Sequence, residues 1–180
     1  MDEKVSNVLR LIFRTSMDPH KPFGSLGSPE HGQAGRQIGE EGIVLLQNNG
    51  NLLPIDLNKA KKIAVIGENA IKMMTVGGGS SSLKVKYEIS PLDGLKSRVG
   101  SKAEVVYARG YVGDPTGEYN GVKTGQDLKD NRSEDELLAE ALQVAKDADY
   151  VVFFGGLNKS NHQDCEDSDR ASLGLPYAQD

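Results

Sequence analysis

Two stretches of this chain concentrate groups able to do chemistry. The denser one follows an apolar run, Tyr150–Gly156. It presents Asn158, Lys159, Asn161, His162, Gln163, Asp164, Cys165, Glu166, Asp167, Asp169 and Arg170. Carboxylates so placed suit general acid/base work, if burial or a second carboxylate raises one of them. A His/Cys/carboxylate run also raises a metal, but no second cluster at ligand spacing supports one. A cysteine nucleophile would need a partner base, and the histidines are His20, His31 and His162. Cys165 therefore reads as an incidental thiol. The bland reading of the whole stretch is a solvated acidic loop. The second stretch is Gly77-Gly78-Gly79-Ser80-Ser81-Ser82, whose bare backbone lets a ligand approach closely; its bland reading is a flexible surface loop. Dinucleotide binding would need its glycines directly between strand and helix. Here only Gly67 sits at that turn. The Lys of a P-loop is absent as well.

The elements that must position these stretches alternate strand and helix. Ile63–Gly67, Glu104–Ala108 and Tyr150–Gly156 are short apolar runs of the kind that form parallel strands buried on both faces. Pro91–Val99 and Ser133–Asp147 read as helices between them. The first has Pro in its opening turn, and the second has a Ser133/Glu136 capping box. Upstream, the spacing of Val5, Val8, Leu9, Ile12 and Phe13 predicts an amphipathic helix over 3–16. Residues 18–30, rich in Pro and Gly, predict a connector, and a further helix is expected from His31 to Asn48. Alternation of this kind predicts an α/β fold with a parallel sheet. Ligands then bind beyond the carboxyl ends of the strands. Three segments lie there: Glu68–Leu83, Arg109–Lys129 and Leu157–Arg170.

Composition narrows the function. Net charge is −5, with no basic stripe to neutralise phosphates, so nucleic acid is not an expected partner. No apolar run reaches the roughly 18 residues of a membrane span, and no membrane partner is expected. The single cysteine excludes an internal disulfide. Met1-Asp2-Glu3-Lys4 lacks the basic-then-apolar start of a signal peptide, so the compartment is not legible.

Taken together, several segments form a known pattern. Glu41–Asn48 with Leu52-Leu53-Pro54 resembles the entry to the second domain of family 3 glycoside hydrolases. Ile63–Ala70, then Gly77–Ser81 with Ser90–Leu95, are similar to its next motifs. Ala148–Val152, Gly156-Leu157-Asn158, Glu166, Asp169-Arg170, Leu173, Leu175-Pro176 and Gln179-Asp180 continue the resemblance in order. The matches span about 36–180. The resemblance implies residues 1–17 as the tail helix of a (β/α)8 barrel that is absent here, 18–34 as a linker, and 35–180 as a partial α/β sandwich. That sandwich would be three-layered, with helices on both faces of a mostly parallel sheet, and truncated relative to a six-stranded domain.

The resemblance also implies chemistry. Members similar to β-glucosidases hydrolyse β-linked glucosides or xylosides with retention, using two carboxyl groups roughly 5–5.5 Å apart. Their nucleophile is an Asp in a Ser-Asp-Trp-type motif of the barrel; this chain has no Trp and no such motif. Glu166 matches the acid/base position, three residues before Asp169-Arg170. Asp164 and Asp167 are rival carboxylates, and Asp167 stands where the family often has Gly. Lys72, Ser80, Ser81 and His162 are the expected substrate contacts, with Lys72 standing where Arg is frequent. Asp169 and Arg170 are expected to form an ion pair that holds the loop. No metal and no cofactor is implied. The expected partners are a β-linked oligosaccharide or glycoside, the absent barrel, and a second copy through the sheet's open edges. Without the barrel, the chain is expected to be inactive, with Glu166 solvated and ordinary. The alternative reading is a non-catalytic α/β module that binds carbohydrate or protein.

Overall fold

The structure is a computed structural model that describes residues 1–20, 22–75, 77, 79–114, 118–119, 122–160, 162–166, 168–177 and 179. For Glu118, Tyr119, Val122, Asp164, Cys165 and Ser168 it describes the backbone. The chain divides into two compact units, Met1–Leu46 and Gln47–Asp180.

The first unit holds helices α1 (Asp2–Thr15) and α2 (Pro29–Gly42). Asp2 and Glu3 in the first turn of α1 and Arg14 in its last suit the helix dipole. Ser28 caps α2, its hydroxyl accepting from the His31 amide, and Pro29 occupies the first turn. The helix begins two residues before the expected His31 and ends at Gly42, well before the expected Asn48. Gly35, Gly39 and Gly42 weaken it, and the β-branched Ile43 leaves helical geometry at ψ 128°. No residue of either helix is buried.

The second unit is built on β1 (Lys62–Ile66), β2 (Glu104–Ala108) and β5 (Tyr150–Phe153), all parallel, in the order β2-β1-β5. Central β1 carries the apolar run that the sequence predicted. Ile63, Ala64 and Val65 are fully enclosed. Helices α3 (Pro91–Val99) and α4 (Glu134–Lys146) make the two crossovers. The first crossover moves the chain one way from β1 to β2, and the second moves it back past β1. Right-handed connections therefore put α3 and α4 on opposite faces. Side-chain alternation agrees. Ile63 and Val65 pack with Val99 and Leu92 of α3, while Ile66 lines a groove with Ala141 and Leu142 of α4. This is the expected layering of helices on both faces of an all-parallel sheet.

The helices start where capping chemistry dictates. Ser90 caps α3, accepting from the Asp93 amide at 3.1 Å. Ser133 and Glu136 form the reciprocal capping box on α4. At the amino end of the sheet, Asp149 accepts from the Lys61 and Lys62 amides at 2.7 and 3.0 Å, tying the entry of β5 to that of β1.

Two features lie outside the sequence reading. Short antiparallel hairpins sit in the loops beyond the sheet: β3 (Glu118–Tyr119) with β4 (Val122–Lys123), and β6 (Asp164–Cys165) with β7 (Ser168–Asp169). Two-residue strands are too brief for an alternating pattern to register.

Candidate active site

The strand order fixes where the site sits. The chain leaves β1 toward one side and returns to the other, so the topological switch point lies between the carboxyl ends of β1 and β5. Gly67 ends β1 there with φ 115°, a conformation that disfavours side chains. A Cβ at this position would collide with the Phe154 carbonyl oxygen beyond β5. Glycine thus lets the two strand exits pack backbone to backbone.

Two asparagines stitch the exits together. Asn69 donates through Nδ2 to the Gly156 carbonyl at 3.1 Å, and accepts from Asn158 Nδ2 at 3.1 Å. Asn158 in turn accepts from the Ser160 amide at 2.8 Å, and its own amide donates to Gln163 Oε1 at 3.1 Å. Gln163 Nε2 reaches the Tyr177 hydroxyl at 2.6 Å, and the Tyr177 ring stacks on Tyr111 at 5.9 Å. Gln179 closes the loop by accepting from the Gly156 amide at 2.7 Å. The long segment after β5 is thus anchored at its beginning, middle and end.

This segment carries the β6–β7 hairpin, with Glu166 directly after β6. Asp167 lies outside the described residues, as does the side chain of Asp164. Glu166 is exposed and meets the Gly-rich loop. Its amide donates to the Gly77 carbonyl at 2.8 Å. Its carboxylate accepts from the Ser80 hydroxyl and, at 2.6 Å, from the Ser81 amide. These donors, the Ser80 hydroxyl foremost, favour the charged form and hold the carboxyl below the ordinary glutamate value of 4.5. Glu166 is therefore solvated as expected, but not ordinary: it is biased toward carboxylate. As it stands it suits accepting a proton. Donating one would require the group to be covered and its affinity for protons raised.

The structure brings Ser80 and Ser81 to Glu166. His162 lies on the same segment, exposed, with left-handed backbone at φ 62°. Lys72 is elsewhere. Its side chain is 0% exposed and its Nζ donates to Glu68 Oε1 at 3.1 Å and to the Asp114 carbonyl at 3.4 Å. The expected contact between Lys72 and a sugar does not fit this enclosed position. The expected ion pair between Asp169 and Arg170 is also absent. Both side chains are exposed and, among the described residues, they form no salt bridge with each other.

Sequence reasoning missed a cluster of buried charges at the exits of β1 and β2. Glu68, directly after β1, is fully enclosed and pairs with both Lys72 and Arg109 Nη2. Arg109, at the exit of β2, also donates to the Leu128 carbonyl at 2.6 Å and lies 3.7 Å from Asp130. Asp130 pairs with Arg132 at 2.7 Å, which holds its carboxyl well below the usual range. Gly113 lies so close to the Glu68 carboxylate that a Cβ there would overlap it. This network joins the β1 and β2 exits. The spacing of Glu68 and Lys72, four residues apart just past a buried strand, was the available signal.

An open, all-parallel sheet in the order β2-β1-β5 with helices on both faces defines a doubly wound α/β domain. The chain belongs to glycosyl hydrolase family 3: residues 43–180 match the model described as "Glycosyl hydrolase family 3 C-terminal domain". It is 45% identical to "Beta-glucosidase BoGH3A" of Bacteroides ovatus, over 99% of this chain and 24% of that protein. It is 32% identical to a "Beta-xylosidase" of Formosa agariphila, over 97% of this chain and 23% of that protein. Among solved structures, the Bifidobacterium adolescentis GH3 beta-glucosidase superposes with a TM-score of 0.67 at 31% identity, over 93% of this chain and 21% of that one. The chain thus spans about a quarter of the length of the curated relatives it matches.

Proposed function

We propose that this chain supplies the acid/base glutamate, Glu166, to a retaining hydrolase of terminal β-D-glucosyl or xylosyl residues. The nucleophilic carboxylate then comes from a barrel domain whose tail helix is residues 1–17, joined to residues 35–180 through a linker at 18–34. The observation that carries the reading is the placement of Glu166. It is an exposed carboxylate on a hairpin tip, anchored to the exits of β1 and β5 and oriented by two donors. Family membership and the names of the relatives support the substrate class.

In such a mechanism the leaving oxygen takes a proton from Glu166 as the glycosyl-enzyme forms, and the resulting carboxylate then deprotonates the attacking water. Closure by the barrel and the sugar would exclude water and raise the carboxyl, enabling the first step. In the isolated chain neither cover nor nucleophile exists, so no turnover is expected.

The test is Glu166→Gln in the enzyme formed by this chain and its barrel. Cleavage of glycosides with poor leaving groups should fall by about 10²–10⁴, while glycosylation by activated aryl glycosides is spared. Equal loss on both substrate types, or no loss on either, would count against the reading. Full aryl-glycosidase activity in the isolated 180 residues would reject the division of labour.

A further inference from the structure

We infer that Ser80 and Ser81 are positioning residues for Glu166, a latch that holds its carboxylate in place and in the charged form. This rests on Glu166 being the acid/base. The geometry is two-sided. The Gly-rich loop offers the Ser80 hydroxyl to one carboxylate oxygen and the Ser81 amide to the other. The same loop accepts the Glu166 amide on the Gly77 carbonyl, and it is closed on itself by the Gly77 amide donating to the Ser81 carbonyl at 3.4 Å. The residues lie 85 and 86 positions apart in sequence, so the contact joins the exit loop of β1 to that of β5.

Donors aimed at both oxygens of a carboxylate stabilise its charged form. The bound form is the one that takes a proton from water in the second half-reaction. For the first half-reaction the carboxyl must carry a proton. Protonation weakens an oxygen as an acceptor, so the latch works against the protonated form, in which the Ser80 hydroxyl can turn to accept the carboxyl proton. Gly79, directly before Ser80, brings no side chain to obstruct movement of the loop. On this view the two serines act on the sugar through Glu166, not by touching it.

The test uses the 180-residue chain and follows the Glu166 side-chain carboxyl and the Ser81 amide by NMR across an acid titration. The Gly77–Ser82 stretch has no titratable side chain. His162, Asp164, Asp167, Asp169 and Arg170 flank Glu166 in sequence and remain in every variant, so differences between variants isolate the latch. In the wild type the Ser81 amide should shift with the Glu166 midpoint, and Glu166→Gln should abolish that transition. Ser80→Ala should move the Glu166 midpoint upward, and Ser80→Thr should restore it. An unchanged midpoint in Ser80→Ala would overturn the latch. So would a Ser81 amide blind to Glu166 ionisation, a comparison that needs only wild type and Glu166→Gln should Ser80→Ala fail to fold. These outcomes do not depend on catalysis. An intact latch alongside a kinetically silent Glu166→Gln in the whole enzyme would remove the acid/base reading and leave the latch standing.

Discussion

Asn158 Nδ2 donates to Asn69 Oδ1 at 3.1 Å, across the gap between the exits of β5 and β1. Asn158 is 2% exposed, so the bond is made out of water. It links the turn after the central strand to the segment carrying Glu166. Replacing Asn158 by Ala leaves the Asn69 oxygen and the Ser160 amide without this partner. The expected cost is about 1–3 kcal/mol, read from urea denaturation of the chain. A loss below a few tenths of a kcal/mol would show that the pair does not hold the exits together.

Glu68 neutralises two enclosed cations at once. Glu68→Ala should destabilise the second unit by about 3–5 kcal/mol, because Lys72 and Arg109 would remain buried without it. Lys72→Met should cost much less, since it removes a charge and Glu68 keeps Arg109. Thermal melts of the two variants, compared side by side, check the ranking. A Glu68→Ala protein as stable as the wild type would show that the cations find water.

Asp149 gives the acid limb of stability a specific contributor. The Lys62 and Lys61 amides hold its carboxyl below the ordinary aspartate value of 3.8. A lowered folded value means that the unfolded chain binds the proton more readily. The contribution is therefore complete above pH 3.8 and fades as pH falls through the lower folded value. Asp149→Ala should be less stable at neutral pH and should lose less on acidification between about pH 4 and 2. Denaturant midpoints across that range measure it. Parallel curves for variant and wild type would refute the assignment.

Strand β5 is an edge of the sheet. Val151 and Phe153 on it, with Leu138 and Leu142 of α4, are large apolar side chains left substantially exposed. An edge strand with free main-chain groups beside an apolar groove invites pairing. The isolated chain should self-associate at high concentration, and Val151→Lys should weaken that association. Light scattering showing a clean monomer in both would sink the expectation.

Local chemistry made much of this protein legible in its sequence. The apolar runs at Ile63, Val105 and Val151 read as parallel strands; central β1 is covered on both faces, whereas β5 leaves Val151 and Phe153 exposed. The caps at Ser90 and Ser133 read as helix starts because a hydroxyl must meet free amides there. Glu166 stood out through its motif. Lys72 misled because a cation near a glycine-rich loop looks the same in sequence whether it faces a ligand or an interior carboxylate. The hairpin under Glu166 was too short to leave a period. The tertiary structure alone decided that Ser80 and Ser81 meet Glu166, that Asn69 meets Asn158, and that Glu68 gathers two cations. Each of these contacts except the Glu68–Lys72 pair spans 40 residues or more, and follows from the order β2-β1-β5. Periodicity and caps act within a few residues of chain. Which exits become neighbours depends on how strands pack side by side, and no short stretch of sequence carries that.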